Sequence, residues 1–584
     1  MKVITKKWNN IGCFIVLLVL FYGHGEGQTL PMIPFESDDN TTSTYDELIE
    51  FYTQVANDWP QASLQISGKT DIGKPLHTFI LAGNDDFTPE KSKAAKKTVI
   101  FINNGIHPGE PDGIDACQLL VKTLLSQKNI NEILDKITIV IIPVYNVGGM
   151  LNRRAHTRAN QNGPAECGFR GNAKNLDLNR DFMKCDSKNA IAFNTVFSAW
   201  DPDVFLDTHT SDGADYAYTM TLIATHPQKL EQPMSDFLNE KFLPYLYDTM
   251  AKSKWPMIPY VNSEHGLSKG IEGFIDLPRY STGYAALHHT YGFMTETHML
   301  KPYKNRVQST LDFIQHLINF TYSFHQQIKE SRVKDKAISE TSKTLPISFQ
   351  LDQSVADSLY FLGYKEFMDT SFVTGLPIRK YDTKAPYNRN IPYFNRFKPI
   401  AFTTLPQYYI VPSAYEKVIE LLKINGAPIS LLDKDTTLTT TMYRIKDIQT
   451  SSYPYESHYV HTQVVCDTLT MTKKWYAGDA LVSTSNAAVH YIIQALEPTA
   501  SDSWFCWNFF DGILNQKEYF SEYVFDAYAT QYLTHHPELK QQIEDKKKEN
   551  PDINNYELLS IVYKNSPYFE PTFRLYPIGR IEYP

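Results

Sequence analysis

The chain has 584 residues, 42% of them hydrophobic and 21% charged, a composition typical of a globular protein too long for one hydrophobic core. Its net charge of -9 lacks the basic balance of nucleic-acid-binding proteins, so we predict no nucleic-acid partner. Beyond the N-terminal segment, no run approaches the ~20 apolar residues that a membrane span requires.

The first 27 residues have the pattern of a secretory signal peptide. Lys2, Lys6 and Lys7 precede an apolar run at residues 11–22, and a glycine-rich stretch follows. An uncleaved membrane anchor is the alternative, although the run is short for that role. We therefore predict an exported protein, periplasmic or secreted, with no stable membrane span after the signal peptide is cleaved.

The cysteines suggest one disulfide bond. Cys13 lies in the signal segment, and the five remaining cysteines are an odd number, so at least one thiol stays free. Cys167 and Cys185 lie close together in a loop-rich segment, and we predict that these two pair. Cys117 lies on the apolar face of a predicted helix and is more typical of a small core residue.

Strand and helix patterns alternate along the first half of the chain. Apolar, β-branched runs predict buried strands at residues 76–81, 98–102, 137–144, 204–207 and 292–295. Helical patterns lie near residues 43–59, 114–125, 187–199, 233–252 and 305–329. This alternation predicts an α/β fold over residues 28–330, with a mixed, mostly parallel sheet and helices on both faces.

The second half has a different character. The charged run at residues 331–344 predicts a solvated linker or the tail of a helix. Residues 345–584 begin with extended, aromatic-rich stretches, continue with alternating polar and apolar residues, and end in helical patterns. We predict an accessory α+β region of one or two small domains and assign no chemistry to it.

Three side chains follow predicted strands and could bind a metal ion. His107 and Glu110 lie on the loop after residues 98–102, and His209 follows residues 204–207. Open α/β sheets place ligands at the carboxyl ends of their strands. Two imidazoles and a carboxylate are a catalytic zinc set that leaves one position for water. Structural roles are the alternative, because each motif alone is weak evidence.

Asn179 and Arg180 form a second motif. A guanidinium fork can bind a carboxylate through two parallel hydrogen bonds, and a neighbouring amide can add another. An enzyme that recognises a free peptide C-terminus needs such groups. The alternative is a surface turn with a solvated arginine.

Glu296 is the third motif, at the end of the apolar run 291–295. A carboxyl group at the end of a buried strand loses solvation, which raises its pKa and suits it to accept a proton from an activated water. The alternative is an ion pair with Lys301 or Lys304.

The order of these elements resembles the zinc carboxypeptidases of the carboxypeptidase A type. HxxE comes first, then Asn-Arg, then a strand-end His and a strand-end Glu, over about residues 43–325. Four elements in this order are far more specific than any one of them. The resemblance implies one bound zinc ion, and as its ligands it implies His107, Glu110 and His209.

The same resemblance implies roles for the polar residues around the metal. Glu296 is similar to the family's general base and proton shuttle. Asn179 and Arg180 match the pair that holds the substrate's free C-terminal carboxylate. Asp177 matches the carboxylate that orients the first zinc histidine.

Three further roles are assigned with alternatives. The family has an upstream arginine that stabilises the oxyanion, for which Arg154 and Arg158 are the candidates and Arg158 is preferred. A tyrosine that caps the substrate is expected at Tyr280 or Tyr284. The residue that sets side-chain specificity falls near Ser281, which is uncharged and argues against a strong preference for charged C-terminal residues.

The resemblance implies a zinc-dependent hydrolase that removes C-terminal amino acids from peptides by promoted-water attack. One alternative is a related zinc amidase that acts on cell-wall peptides or acyl-amino acids. Another is a non-catalytic peptide-binding protein on the same scaffold. The presence of Asn179 and Arg180 favours the first, and the complete ligand set with Glu296 argues against the last.

Overall fold

An eight-stranded mixed sheet forms the centre of the first half of the protein. The computed structural model describes residues 29–262 and 266–584, so the predicted signal segment lies outside the described residues. Across the sheet the strands lie in the order Ala62–Lys69, Pro75–Leu81, Ile137–Ile142, Thr98–Asn103, Val204–Ser211, Tyr291–His298, Met220–Ala224 and Met257–Pro259. The four middle strands from Ile137–Ile142 to Tyr291–His298 pair in parallel, which confirms the predicted α/β fold.

Helices cover both faces of this sheet. Ile100 and Ile102 pack into one hydrophobic cluster, whereas Phe101 and Phe205 belong to another on the opposite face. Because both faces are buried, the central strands are continuously apolar. The α-helices of this half are Pro34–Ser37, Tyr45–Asp58, Pro89–Ala94, Asp112–Leu125, Ile130–Lys136, Val147–Leu151, Lys188–Trp200, Gln232–Phe237, Leu243–Lys252, Ser281–Leu287 and Tyr303–Thr341.

The parallel register sets which residues meet at the carboxyl edge of the sheet. Asn103 pairs with Asp207, and His209 pairs with Glu296 on the next strand. The loop after Asn103 leaves from the same edge. Side chains from three separate segments of the chain therefore face one place.

The predicted linker at residues 331–344 is mostly the end of a long helix. The helix Tyr303–Thr341 continues through this segment. Arg332 within it is buried, and its guanidinium pairs with Asp201 at 2.7 Å and with Asp203 at 2.8 Å. The segment is therefore the end of a helix and not a solvated linker. The charge of Arg332 can be buried because two aspartates pair with it.

Strands of the second half form three smaller sheets, one of which also includes a short strand of the first half. Two strands, Thr344–Leu351 and Phe397–Thr404, form the first; Asp357–Thr370, Pro377–Phe394 and Ile271–Glu272 form the second. The third has the order Ile429–Leu431, Ala480–Ser483, Tyr408–Val411, Gly579–Ile581, Thr436–Thr450 and His461–Trp475. The helices are Glu416–Ile424, Val489–Leu496, Glu522–Leu533, Pro537–Glu549 and Asn555–Asn565. No helix in the described part of the chain is both long and apolar enough for a membrane crossing.

The two halves share a hydrophobic core. Tyr284 of the first half lies with its ring centroid 6.3 Å from that of Tyr491, which in turn lies 6.2 Å from Trp504. All three side chains are fully buried and belong to the cluster that also contains Phe197. The second half is therefore packed against the sheet domain through apolar contacts.

The predicted bond between Cys167 and Cys185 is not formed. All five cysteines of the described residues are free thiols. Cys167 Sγ lies 2.8 Å from Thr157 Oγ1, whereas Cys185 Sγ lies 3.0 Å from Asn194 Nδ2 in the core. Closeness along the chain does not bring these thiols together because their side chains pack into different surroundings.

We expect Arg332→Met to lower the free energy of unfolding by about 3 kcal/mol, because the change removes the guanidinium partner of the buried Asp203 carboxylate. Chemical denaturation monitored by circular dichroism measures this. Val333→Ala is the control, since Val333 is 67% exposed. If Arg332→Met has the same free energy of unfolding as Val333→Ala and the wild type, the buried ion pairs of Arg332 do not stabilise the fold.

Candidate active site

The three predicted metal ligands converge at the carboxyl edge of the sheet. Donor atoms of His107, Glu110 and His209 all lie within 4.8 Å of one another, and all three side chains are buried. The first two come from the loop after Thr98–Asn103, and the third lies in Val204–Ser211. Two imidazoles and one carboxylate at this spacing fit a catalytic zinc ion with one coordination position left open.

A carboxylate holds the outer nitrogen of each histidine. His107 Nε2 lies 2.8 Å from Asp177 Oδ1, and His209 Nε2 lies 2.8 Å from Asp207 Oδ2. The Nδ1 atoms of both rings face Glu110, at 3.3 and 3.1 Å. Such partners orient the ring and raise its basicity as a ligand. Asp177, which was expected to orient the first histidine, contacts His107. Asp207 was not among the expected residues, although its spacing of two from His209 on a strand places both on one face.

Glu110 is ionised in spite of its burial. Burial alone would raise the pKa of this carboxyl, but the charges of Arg158 and His107 outweigh it and hold the pKa well below its usual range. Arg158 Nη1 contacts Glu110 Oε1, and the Thr210 N–H donates to Glu110 Oε2 at 2.9 Å. The group therefore has the charge that a metal ligand needs.

Two arginines lie beside the ligands. Arg158, the preferred candidate, lines the cleft and donates from Nη2 to the carbonyl of Thr210 at 3.0 Å. Arg154 is exposed and does not line it. Arg170, which was not among the predicted residues, is the second arginine; it donates from Nε and Nη2 to Asp177 Oδ2 at 3.0 and 2.8 Å. Its irregular loop has no periodic pattern that could have marked it.

Glu296 faces the same cleft from the strand next to His209. Desolvation raises the pKa of Glu296 to about 8, with the nearby His209 opposing the rise and Glu110 adding to it. A divalent cation at the ligands would lower that pKa and favour the carboxylate. The alternative ion pairs do not form, because Lys301 and Lys304 pair with other aspartates at 2.8 and 2.9 Å.

Asn179 and Arg180 lie on the cleft wall. The Ser281 N–H donates to Asn179 Oδ1 at 3.2 Å, which orients the amide. The Arg180 guanidinium carbon lies 4.5 Å from the centre of the Tyr280 ring, and Arg180 Nε donates to the hydroxyl of Tyr455 at 2.9 Å. The arginine is therefore fixed on two sides, with 21% of its side chain exposed.

Two predicted substrate-binding residues do not reach the cleft. Tyr284 is fully buried, and its hydroxyl donates to Asn425 Oδ1 at 2.6 Å. Ser281 is also buried and contributes only its backbone N–H. Both lie inside a short helix that turns their side chains into the core, whereas Tyr280 at its N-cap lines the cleft. Tyr260 also lines it, and no motif marked that residue.

These groups enclose one cleft of about 430 Å³. The lining includes charged groups, namely the ligands, three arginines and Glu296, and also apolar and aromatic side chains. The lining residues are His107, Glu110, Arg158, Arg170, Asn179, Arg180, His209, Thr210, Ser211, Asp212, Ile223, Tyr260, Phe274, Tyr280, Met294 and Glu296.

An open α/β sheet with two imidazoles, a ligand carboxylate and a second carboxylate at its strand ends is typical of a metal-dependent hydrolase. The family model described as zinc carboxypeptidase matches residues 48–344, about half of the chain. The protein belongs to the zinc carboxypeptidase family, and is accordingly a hydrolase of the metallopeptidase class. No curated protein sequence matches the chain.

Several solved carboxypeptidase structures are similar at low identity. A metallo-carboxypeptidase from Burkholderia cenocepacia is 16% identical, with 48% of this chain and 70% of that chain covered and a TM-score of 0.38. One from Pseudomonas aeruginosa, in complex with (2-guanidinoethylmercapto)succinic acid, is 12% identical, with 49% and 70% covered and a TM-score of 0.37. Carboxypeptidase A from Helicoverpa armigera is 13% identical, with 49% and 74% covered and a TM-score of 0.35.

We expect Asp207→Asn to weaken zinc binding by about 10- to 100-fold, because His209 loses the carboxylate that orients its ring. Competition with a chromogenic chelator measures the affinity. Asp39→Asn is the control, since this carboxylate pairs with Lys304 at the surface, away from the cleft. Equal zinc affinity in the Asp207 variant and the wild type would contradict the orienting role.

Proposed function

We propose that the protein is an exported carboxypeptidase that uses one zinc ion to remove single amino acids from the free C-termini of peptides. The observation that carries the proposal is the joint placement of two groups in one cleft. The ligand set lies there with Glu296, and so do Asn179 and Arg180. The first group suits hydrolysis of an amide bond, and the second suits capture of a carboxylate.

A zinc ion held by His107, Glu110 and His209 would supply Lewis-acid chemistry, lowering the pKa of water and polarising the scissile carbonyl. The Glu296 carboxylate then accepts the proton of the attacking water and transfers it to the nitrogen of the departing amino acid. Arg158 supplies positive charge where the carbonyl oxygen becomes negative. The mechanism needs no covalent intermediate with the protein.

The substrate's carboxylate determines where cleavage falls. Arg180 presents a guanidinium fork to the cleft, and the Asn179 amide is held beside it by the Ser281 N–H. A carboxylate bound there would direct the adjacent peptide bond toward the metal ligands. Cleavage would then remove one residue at a time.

We propose that the preferred C-terminal side chain is apolar or aromatic. Ile223, Phe274 and Met294 line the cleft and offer an apolar surface. Outside the groups assigned to the metal, the substrate and the reaction, the charged lining residues are Asp212, which is exposed, and Arg170, which is paired with Asp177. An apolar pocket discriminates against charged side chains because their desolvation is costly.

Export is proposed from the N-terminal pattern of three lysines before an apolar run. Such a pattern directs a chain across a membrane and is then removed. The free C-termini of peptides outside the cytoplasm would be the substrates. Detection of the protein in the culture medium or periplasm, with a new N-terminus near residue 28, tests this location.

We expect the zinc-loaded enzyme to hydrolyse blocked dipeptides that end in a free carboxylate and to lose this activity to a chelator. Glu296→Gln should lower kcat by about 10²- to 10⁴-fold, because the amide cannot accept a proton. Bound zinc in the variant, measured by atomic emission, is the internal control. Cleavage of amidated peptides with free-carboxylate peptides left intact would replace the carboxypeptidase assignment with that of an amidase.

We expect Arg180→Gln to raise KM for free-carboxylate dipeptides by about 10- to 100-fold, because charge-assisted hydrogen bonds are lost. Steady-state kinetics on the acid and its amide separates this effect from general damage. Arg396→Gln is the control, since Arg396 is an exposed arginine that pairs with Asp357. An unchanged KM would show that the carboxylate binds elsewhere.

A further inference from the structure

We infer that Tyr455, from the second half of the chain, is a positioning residue of the substrate-carboxylate subsite. Its hydroxyl fixes the Arg180 guanidinium so that a peptide carboxylate meets the arginine end-on. The inference rests on the proposed role of Arg180 as the carboxylate-binding group. It extends that proposal because it makes the accessory half part of the substrate-binding site.

The loop at residues 451–460 joins the two longest strands of the six-stranded sheet and reaches the sheet domain. Arg180 Nε donates a hydrogen bond of 2.9 Å to the Tyr455 hydroxyl. The two residues are 275 positions apart in sequence. This contact therefore joins the second half of the protein to a side chain that lines the cleft.

Two more residues of the same loop bind the segment that carries Arg180. Glu456 Oε2 accepts a hydrogen bond of 2.8 Å from the backbone N–H of Asp177. His458 Nε2 lies 2.7 Å from Asp186 Oδ2. The loop thus holds its target segment on both sides of Arg180.

The Tyr455 ring is itself fixed in place. It stacks on Trp507 with 6.2 Å between ring centroids and an interplanar angle of 21°. The Arg279 guanidinium carbon lies 4.8 Å from the centre of the Trp507 ring and 5.7 Å from that of Tyr455. Asp502 pairs with Arg279 at 2.6 Å and holds it there. These contacts fix the orientation of the Tyr455 ring, so its hydroxyl approaches Arg180 from one direction.

The hydrogen bonds of Arg180 leave one N–H edge of the guanidinium for the substrate's carboxylate. Nε is bound to Tyr455, and Nη1 donates to the Asn179 carbonyl at 2.8 Å. Nη2 has no hydrogen-bond partner among the described residues. A carboxylate can bind a guanidinium side-on, through Nε and one Nη, or end-on through both Nη atoms. Tyr455 takes the Nε–H, so the side-on edge is occupied. The end-on edge remains, because Nη1 has a second N–H besides the one that donates to Asn179.

A purely structural role for Tyr455 would also explain these contacts, and kinetics can separate the two roles. Loss of a packing residue affects stability, kcat and every substrate together. Loss of a positioning residue raises KM only for substrates whose carboxylate binds Arg180. The full-length, zinc-loaded protein is therefore tested on blocked dipeptides with a free carboxylate and on the matching amides.

We expect Tyr455→Phe to raise KM for the free-carboxylate dipeptides by about five- to tenfold, because Arg180 loses one hydrogen bond and its orientation. The kcat, the melting temperature and cleavage of amides should stay as in the wild type. Tyr453→Phe is the matched control from the same loop, with a side chain that is 69% exposed. An unchanged KM in Tyr455→Phe, or an equal loss on acids and amides, would overturn the inference.

A binding experiment separates this inference from the proposed function. Calorimetry on the zinc-loaded Glu296→Gln protein, with and without Tyr455→Phe, measures affinity for a blocked dipeptide acid and its amide. Weaker binding of the acid alone in the double variant supports the inference even if the wild type cleaves no such peptide. Equal binding of acid and amide by the Glu296→Gln protein would overturn both the inference and the proposed carboxylate subsite.

Discussion

The site depends on one buried carboxylate, that of Glu110, lying between two imidazoles and the guanidinium of Arg158. A buried negative charge is costly unless it is paired and hydrogen-bonded. Here the pairing comes from three different segments of the chain, and the Thr210 N–H adds a hydrogen bond. The same arrangement brings the donor atoms of the two imidazoles and the carboxylate together. The contacts that stabilise the buried carboxylate therefore also form the cation site.

The sequence predicts the sheet well where both of its faces are buried. Continuous apolar runs mark the central strands. The metal ligands and Glu296 could be predicted because they lie at the ends of those runs. The edge strands Ala62–Lys69 and Met257–Pro259 were missed, since the first is mostly polar and the second has three residues. The buried strand Met220–Ala224 was also missed, and it has only five residues. Arg170 and Tyr455 lie on irregular loops, where no period indicates the direction of a side chain. Tyr280 and Tyr284 differ only in their place at or within a helix, which composition alone does not resolve.

The second half of the chain is more than an appendage to the sheet domain. Tyr491 and Trp504 share a core with Tyr284, and the Trp504 indole N–H donates to the carbonyl of Met183 at 2.8 Å. Met183 lies three residues after Arg180. The apolar interface around Trp504 and the loop at residues 451–460 therefore contact neighbouring parts of the same irregular segment. Such a stretch has no sheet or long helix to hold it. Its conformation therefore depends on the half of the protein that lies outside the family match.

Charge in the cleft favours a substrate that carries its own negative group. Arg158 and Arg170 lie close to anionic partners, Glu110 and Asp177, which offset much of their charge. Arg180 lies 3.9 Å from the nearest carboxylate oxygen, and its closest partners are the neutral hydroxyl of Tyr455 and a backbone carbonyl. A charge whose hydrogen-bond partners are neutral remains available to an incoming anion, because Asp177 at 3.9 Å is not hydrogen-bonded to it. At this position a tyrosine hydroxyl orients the guanidinium of Arg180, and unlike a carboxylate it does not neutralise the positive charge.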